Sequence, residues 1–305
     1  MDQIQERLLA EVAGFHEIPA GAYNIRVNGK SAERKTTANI DIVPKKDGNG
    51  IEIYVKPGTN KESLHIPVLL SQSGLEDTVY NDFYIGEGAD IVIIAGCGIH
   101  NGGSRKTQHD GIHTFYIEKG ARLKYVEKHY GQGEGTGERV LNPKTVIHIK
   151  EDGYMEIDSV QIKGVDSTIR ETRADLMKGA TLVVKEKIMT HGSQTAETSF
   201  DVTLDGERAS ANVVSHSVAR DMSRQIFLSK VYGNAACVGH TECDSIIMDD
   251  AYVGAIPEIH ANHQDASLVH EAAIGKIAGE QLIKLMTLGL TKKEAEAQII
   301  NGFLK

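Results

Sequence analysis

The sequence has no tryptophan, six phenylalanines and ten tyrosines, so aromatic residues fill only 5% of its 305 positions. A core made from this chain must rest on Val, Ile, Leu and Ala. Three unevenly spaced cysteines do not suggest a disulfide framework, as a small secreted domain would need. No apolar run approaches the length of a membrane span. The start, Met1-Asp2-Gln3-Ile4-Gln5-Glu6-Arg7, lacks the basic residues and apolar centre of a secretory signal. These absences point to a cytoplasmic protein. Positive charge is in deficit as well: a net charge of −9 argues against nucleic acid as the main partner. A Gly-x4-Gly-Lys-Ser/Thr phosphate loop is also missing. Gly131–Gly137 is glycine-rich but has no Lys-Ser/Thr pair, and reads as a flexible loop.

What is present describes a globular chain with 40% hydrophobic and 25% charged residues, enough for one large domain or two modest ones. Ile4, Leu8, Leu9 and Val12 share a face and predict a short amphipathic helix over residues 1–13. Residues 20–72 alternate as strands do, with Ile40, Ile42, Ile51, Ile53 and Val55 apolar. Asp47-Gly48-Asn49-Gly50 is a hairpin signal between two of these runs.

From about residue 75 the chain repeats. A turn glycine precedes an apolar-rich strand at Gly88, Gly120, Gly153, Gly179, Gly206 and Gly233, with separations of 32, 33, 26, 27 and 27 residues. A period in this range marks a solenoid. Strands are short and no helical pattern intervenes between residues 75 and 260, which leaves a β-solenoid of stacked coils. The last residues change character. Ile274, Ile277, Ala278, Leu282, Leu285 and Met286 predict an amphipathic helix ending at Gly289. Thr291-Lys292-Lys293-Glu294 reads as a capping box for a second helix whose face carries Ala295, Ile299, Ile300 and Phe303. Such a helical hairpin either caps the solenoid or docks a partner. The expected organisation is an N-terminal α/β region over residues 1–74, a β-helix core over 75–262 and a helical region over 263–305.

Residues 237–271 gather the chemistry. Cys237 and Cys243 flank His240 and Glu242, and His270-Glu271 closes the window. Thiolate, imidazole and carboxylate together suit a transition metal or an iron–sulfur cluster. Cys-x5-Cys is too wide for a zinc knuckle, and there is no second Cys pair. A buried structural cysteine beside solvated histidines is the competing reading.

Four stretches carry a family resemblance: Ile66-Pro67-Val68-Leu69-Leu70; Gly88-Ala89-Asp90 leading to Gly96-Cys97; Gly239-His240-Thr241-Glu242-Cys243-Asp244-Ser245; and His270-Glu271-Ala272-Ala273-Ile274-Gly275-Lys276-Ile277 with the tail through Asn301-Gly302-Phe303. The chain resembles the SufB/SufD family of iron–sulfur cluster assembly proteins from about residue 60 onward. The resemblance implies a right-handed parallel β-helix, a dimer through its core and a C-terminal region, residues 271–305, that binds a SufC-type ABC ATPase. Being shorter than SufB, the chain looks like a compact form that would pair with itself as a homodimer, and flavin binding is not carried over. A sulfur donor and apo iron–sulfur proteins are the further partners implied. ATP hydrolysis would belong to the ATPase, this chain being a scaffold for a 2Fe–2S or 4Fe–4S cluster.

By that resemblance Cys243, Glu271 and His270 are cluster-binding, with Cys243 and Glu271 as metal ligands. Cys97 is where sulfur would be received; His109 and His113 downstream are expected to lower its pKa. Cys237 has no family counterpart. It lies six residues before Cys243, an even separation that puts both on one face of an extended strand, and it stands as a second thiolate ligand. His240, His260 and His263 are weaker candidates. Two further readings are a cytoplasmic carbohydrate-active β-helix enzyme using paired carboxylates, and a metal-free interaction solenoid.

Overall fold

The computed structural model describes residues 1–13 and 21–305. Of the alternating stretch 20–72, Ala20 lies outside the described residues. The chain is a β-solenoid of about eight turns with a short N-terminal helix and two C-terminal helices. Each turn contributes one strand to each of two ten-stranded sheets. The first sheet runs in the order β2 (Lys30–Lys35), β1 (Ala22–Val27), β5 (Asn60–Leu70), β7 (Asp90–His100), β9 (Arg122–Gln132), β12 (Tyr154–Lys163), β14 (Thr181–Thr190), β16 (Ser210–Ala219), β18 (Val238–Ile247) and β20 (Ser267–Gly275). The second runs β19 (Tyr252–Ala261), β17 (Arg224–Gly233), β15 (Thr195–Leu204), β13 (Ser167–Leu176), β10 (Arg139–Leu141), β8 (Thr107–Ile117), β6 (Glu76–Ile85), β4 (Ile51–Val55) and β3 (Ile40–Pro44). The remaining strand, β11 (Lys144–Ile149), also bridges β8 and β13. Parallel pairing prevails; only β1–β2 and β3–β4 are antiparallel, and the turn predicted at Asp47–Gly50 joins the second of these pairs.

The turns explain the period, with one shift of register. The left-handed backbone position falls on Gly88, Gly120 and Gly179, but on Asp152 and Arg208 in two other turns. Gly153 and Gly206 are neighbours of that position, and Gly233 ends β17. The ladder itself is even: Ser210 pairs with Val238, and Val238 with Ser267. Just before each strand of the first sheet, a small residue fills the corner of the coil. Ala89, Ala121, Gly153, Ala180, Ala209 and Cys237 occupy this position in turn, and all five side chains present are buried.

Parallel, in-register stacking places like residues above one another. On the outer face of the second sheet Tyr54, Tyr84, Tyr116 and His148 form a ladder of stacked rings 4.9, 4.9 and 5.4 Å apart. Inside, the coil is divided lengthwise. The early half of each first-sheet strand points Met155, Ile157, Leu182, Val184, Ala211 and Val213 inward. Its later half points Ser159, Gln161, Glu186, Ser215, Ser217, Cys243 and Ser245 inward. The solenoid thus has an apolar side and a polar side, and the polar side is absent from the expectation drawn above.

The glycine-rich loop 133–138 is packed, not loose. Gly135 N–H donates to Asn101 O (3.1 Å) and Gly137 N–H to Gly103 O (3.0 Å). A side chain at either would meet the backbone of the coil below at 2.1 or 2.2 Å.

Helix α1 (Gln3–Ala13) lies across the outer face of the first sheet, with Leu8, Leu9 and Val12 packed on Leu69 and Tyr130. Gly96 and Gly98 make room for it: a Cβ on Gly96 would lie 2.6 Å from Val12 O, and one on Gly98 3.1 Å from Leu8 Cδ2. The Gly-Cys-Gly motif therefore serves helix docking outside while Cys97 faces in.

At the other end, β20 extends to Gly275, so His270, Glu271 and Ile274 sit on a strand and not at a helix start. Helix α2 (Gly279–Thr287) follows, then α3 (Lys292–Phe303) with the predicted capping box at Thr291. The α3 face is spent on the solenoid: Ile300 and Leu304 pack on Val218, and Phe303 stacks on His216 at 5.0 Å.

Gly96→Val should push α1 off the sheet. Overpacking of this kind costs about 1–3 kcal/mol. The expected outcome is faster proteolytic loss of the N-terminal helix with the solenoid's urea transition retained, checked by limited proteolysis beside circular dichroism.

Candidate functional site

The residues singled out in the sequence fall in different compartments. Alternation along β18 turns Thr241, Cys243 and Ser245 inward and His240, Glu242 and Asp244 outward. On the neighbouring strand Thr241 pairs with His270, Glu242 with Glu271 and Cys243 with Ala272. His270 therefore points inward, its Nδ1 2.7 Å from Thr241 Oγ1. Glu271 points outward beside Glu242 and is two-thirds exposed. Cys243, at 2% exposed, and Glu271 lie on opposite faces of one sheet.

Cys237 shares the inward face with Cys243, as the even spacing predicts, and Gly239 does not break the strand. It is not beside Cys243, however: six residues of strand span about 20 Å. It fills the corner column with the alanines, at 2% exposed, as a small apolar side chain. The structure does not bring Cys237 to the ion or cluster that Cys243 would hold within one chain. His260 pairs with Glu258 at 2.7 Å, and His263 accepts the Asp265 N–H, both away from Cys243 on the second sheet and its following turn.

Cys97 lies on the same inward face, far along the solenoid. The column of Cys243 reads Glu127, Ser159, Glu186, Ser215, Cys243 through the ladder. The column of Cys97 runs next to it and places Cys97 beside His129. Five strand steps separate the two cysteines, about 24 Å. Polar groups fill that interval. Arg170, reaching in from β13, donates to Glu127 (3.0 Å), Glu186 (3.2 Å), His129 Nδ1 (2.7 Å) and Ser159. Ser215 and Thr198 donate to Glu186 at 2.8 and 3.3 Å. Three small cavities lie in series along this line, one lined by Cys97 and His129, one by Glu127 and Arg170, one by Ser215 and Cys243. Glu127 lines the first two and Glu186 the last two.

The electrostatics keep both thiols protonated. Burial pushes the Cys97 thiol well up, and the Glu127 and Asp77 carboxylates add to it. The downstream histidines do not offset this. Burial takes His113 down to about 4, and His109 is bound to Asp77 at 3.1 Å. Cys243 is pushed up to about 11 by burial, then by Asp244 and Glu242. Along the column, burial opposes ionisation of Glu127, but His129 and Arg170 hold it below the usual carboxylate range. Glu186 stays above that range because burial outweighs Arg170 and its hydroxyl donors.

The polar side of the interior thus carries one buried thiol towards each end, Cys97 and Cys243. The family model for "SUF system FeS cluster assembly, SufBD core domain" matches residues 78–303. The chain belongs to this family. It is 30% identical over 264 residues to an iron-sulfur cluster assembly SufBD family protein of Archaeoglobus fulgidus, covering 85% of this chain and 69% of that one. A namesake in Methanothermobacter thermautotrophicus is 28% identical over 267 residues, covering 84% and 62%. One in Methanocaldococcus jannaschii is 27% identical over 256 residues, covering 83% and 80%. Family membership places the chain in iron–sulfur cluster assembly. Among the described residues no helix is long and apolar enough to cross a membrane.

Sequence reading missed Glu127, Ser159, Arg170, Glu186 and Ser215. Their signal was a charged or hydroxyl residue recurring at one ladder position, visible only once the register of the coils is known.

Two outcomes follow from this geometry. Arg170→Met strands two carboxylates in the interior and should cost about 3–5 kcal/mol, measured by urea unfolding at pH 7. Because the Glu127 carboxyl is held low in the folded state, the stabilisation from this pair is present above about pH 4.3 and lost as pH falls. The variant's deficit should therefore shrink towards acid. Asp244→Asn removes a charge that raises the Cys243 pKa while keeping an acceptor for the Ala273 N–H. The pH midpoint of Cys243 alkylation by iodoacetamide should move down, as read by mass spectrometry; an unmoved midpoint would show that the carboxylate does not act on the thiol.

Proposed function

We propose that this chain is a scaffold subunit on which an iron–sulfur cluster is assembled, with Cys243 as the thiolate that holds the nascent cluster and Cys97 as the point where sulfur is received. The observation that carries this reading is the polar interior joining the two cysteines. Two thiols about 24 Å apart cannot exchange a persulfide directly. Hydrosulfide that takes the outer sulfur from Cys97, leaving its thiol, and gives it up to Cys243 would carry it, with the row of hydroxyls and charged groups as hydrogen-bonding partners on the way. Iron and sulfide are cargo here.

Cys243 is buried, so cluster chemistry requires the last turn of the solenoid to move. That turn is the one best placed to do so. β19 and β20 are unpaired edges, and Tyr252, Ile256, Ile259, Val269 and Ile274 are exposed on them. A second copy set against these edges would form a homodimer, cover the apolar groups and bring the two Cys243 regions together. The force for opening would come from an ABC ATPase of the SufC type, which hydrolyses the ATP. Its docking face is α2 and not α3: Ile283, Met286 and Leu288 are exposed, Leu288 at 76%, whereas α3 has spent Ile300 and Leu304 on the solenoid. Once the turn opens, Cys243 could join His270 from inside and Glu271 from outside as ligands.

Anaerobic reconstitution with iron, sulfide and the ATPase tests the reading. Cys243→Ser keeps the size of the side chain but is a poor iron ligand. It should cut cluster absorbance several-fold without lowering the melting temperature; an unchanged iron-to-protein ratio would rule the assignment out. Ile283→Asp with Leu288→Asp should abolish co-purification of the ATPase, and a complex that survives would place docking elsewhere.

A further inference from the structure

On the outer face of the first sheet, β16, β18 and β20 gather metal-ligating side chains of which the cluster reading uses only Glu271. His240, Glu242 and Glu271 each offer one ligand atom, and these atoms lie within 4.8 Å of one another. His216, Glu242 and Asp244 form a second group on the same terms, with Glu242 in both. Register brings them together, since Glu242 pairs with Glu271 and His216 with Asp244.

Two independent observations say that a positive charge belongs here. The first is Glu242 beside Glu271: like charges directly opposite on neighbouring strands destabilise a sheet. Their ion-pair partners among the described residues are imidazoles, not Lys or Arg. His216 Nε2 is 3.8 Å from Glu242 and His240 Nε2 is 3.5 Å from Glu271. The second is the orientation of His240. Its Nδ1 lies 2.8 Å from Asn212 Oδ1, an acceptor, so Nδ1 carries a proton and donates it. In the neutral ring Nε2 then turns a lone pair towards a carboxylate. Two acceptors facing one another repel unless a proton or a metal ion lies between them, and a metal ion would be shared with Glu242 as well. Anchoring the far N–H to an oxygen is also how metal-binding histidines are oriented.

We propose that His240, Glu242 and Glu271 bind a divalent first-row transition-metal ion on the outside of the solenoid, with His216 and Asp244 extending the site beyond Glu242. Nitrogen and oxygen donors without thiolate suit Fe(II), Mn(II), Co(II) or Zn(II). The sheet separates this ion from Cys243, which points the other way between Glu242 and Asp244. The site therefore needs no thiol. The proposal rests on the cluster-assembly reading only for iron as the natural ion, which would wait outside the wall until the last turn opens.

Mn(II) is the probe. Titrated into the chelator-stripped full chain, it should lose its free-ion electron paramagnetic resonance signal with one tight ion bound per chain. Glu242→Gln and His240→Ala should each weaken binding at least tenfold at an unchanged melting temperature. Cys243→Ser, on the other face of the sheet, should leave the tight site within twofold. No binding by the unmutated chain, or binding that survives Glu242→Gln, overturns the proposal. If Cys243→Ser leaves cluster content unchanged while Mn(II) binding still depends on Glu242, the cluster reading is lost and the outer site stands.

Discussion

Backbone register between stacked coils governs this molecule. A parallel ladder fixes which residue of one turn lies above which residue of the next, and alternation along each strand decides whether that residue meets the interior or the solvent. Every chemical property described above is inherited from a position in that lattice. Cys237 is a core residue because it stands in the alanine column; Cys243 is a chemical one because it ends a column of Glu and Ser. The two differ by six residues in one strand and by little else in the sequence around them.

The polar column is costly to bury, and its composition shows how the cost is met. One guanidinium serves two carboxylates, with hydroxyls and an imidazole taking up the remaining lone pairs. Apolar residues of similar volume would often be no less stable in such a place. Retaining Arg170, Glu127 and Glu186 instead fits an interior that must accept a polar passenger. The thiols at its two ends are both held protonated by the same low-dielectric, acidic surroundings, so neither is a free nucleophile in the closed molecule.

Much of the fold was legible in the sequence because turn residues recur at the coil period and inward positions are apolar. The N-terminal helix, the hairpin at Asp47–Gly50 and the Thr291 capping box are local signals, and the structure has them where the sequence puts them. The site was less legible. His270 and Glu271 are neighbours in sequence and read as a pair, yet as strand residues they must face opposite ways. Placing them in a helical region over 263–305 hid that parity. Cys97 between glycines looked like an activated thiol, whereas the glycines answer to Val12 and Leu8 of a helix more than 80 residues earlier. Arg170 could not be read at all, since its partners come from three other strands.

The position of the two cysteines along the stack has a consequence for biosynthesis. A structure whose units touch only their neighbours can close from its first-made end. Translation at about 5–20 residues per second leaves roughly 7–30 s between the emergence of Cys97 and that of Cys243. In that interval the turns around Cys97 can stack and α1 can lie down over its strand. The first thiol is then walled in before the second exists, and a nascent chain in an oxidising moment has no opportunity to join them wrongly.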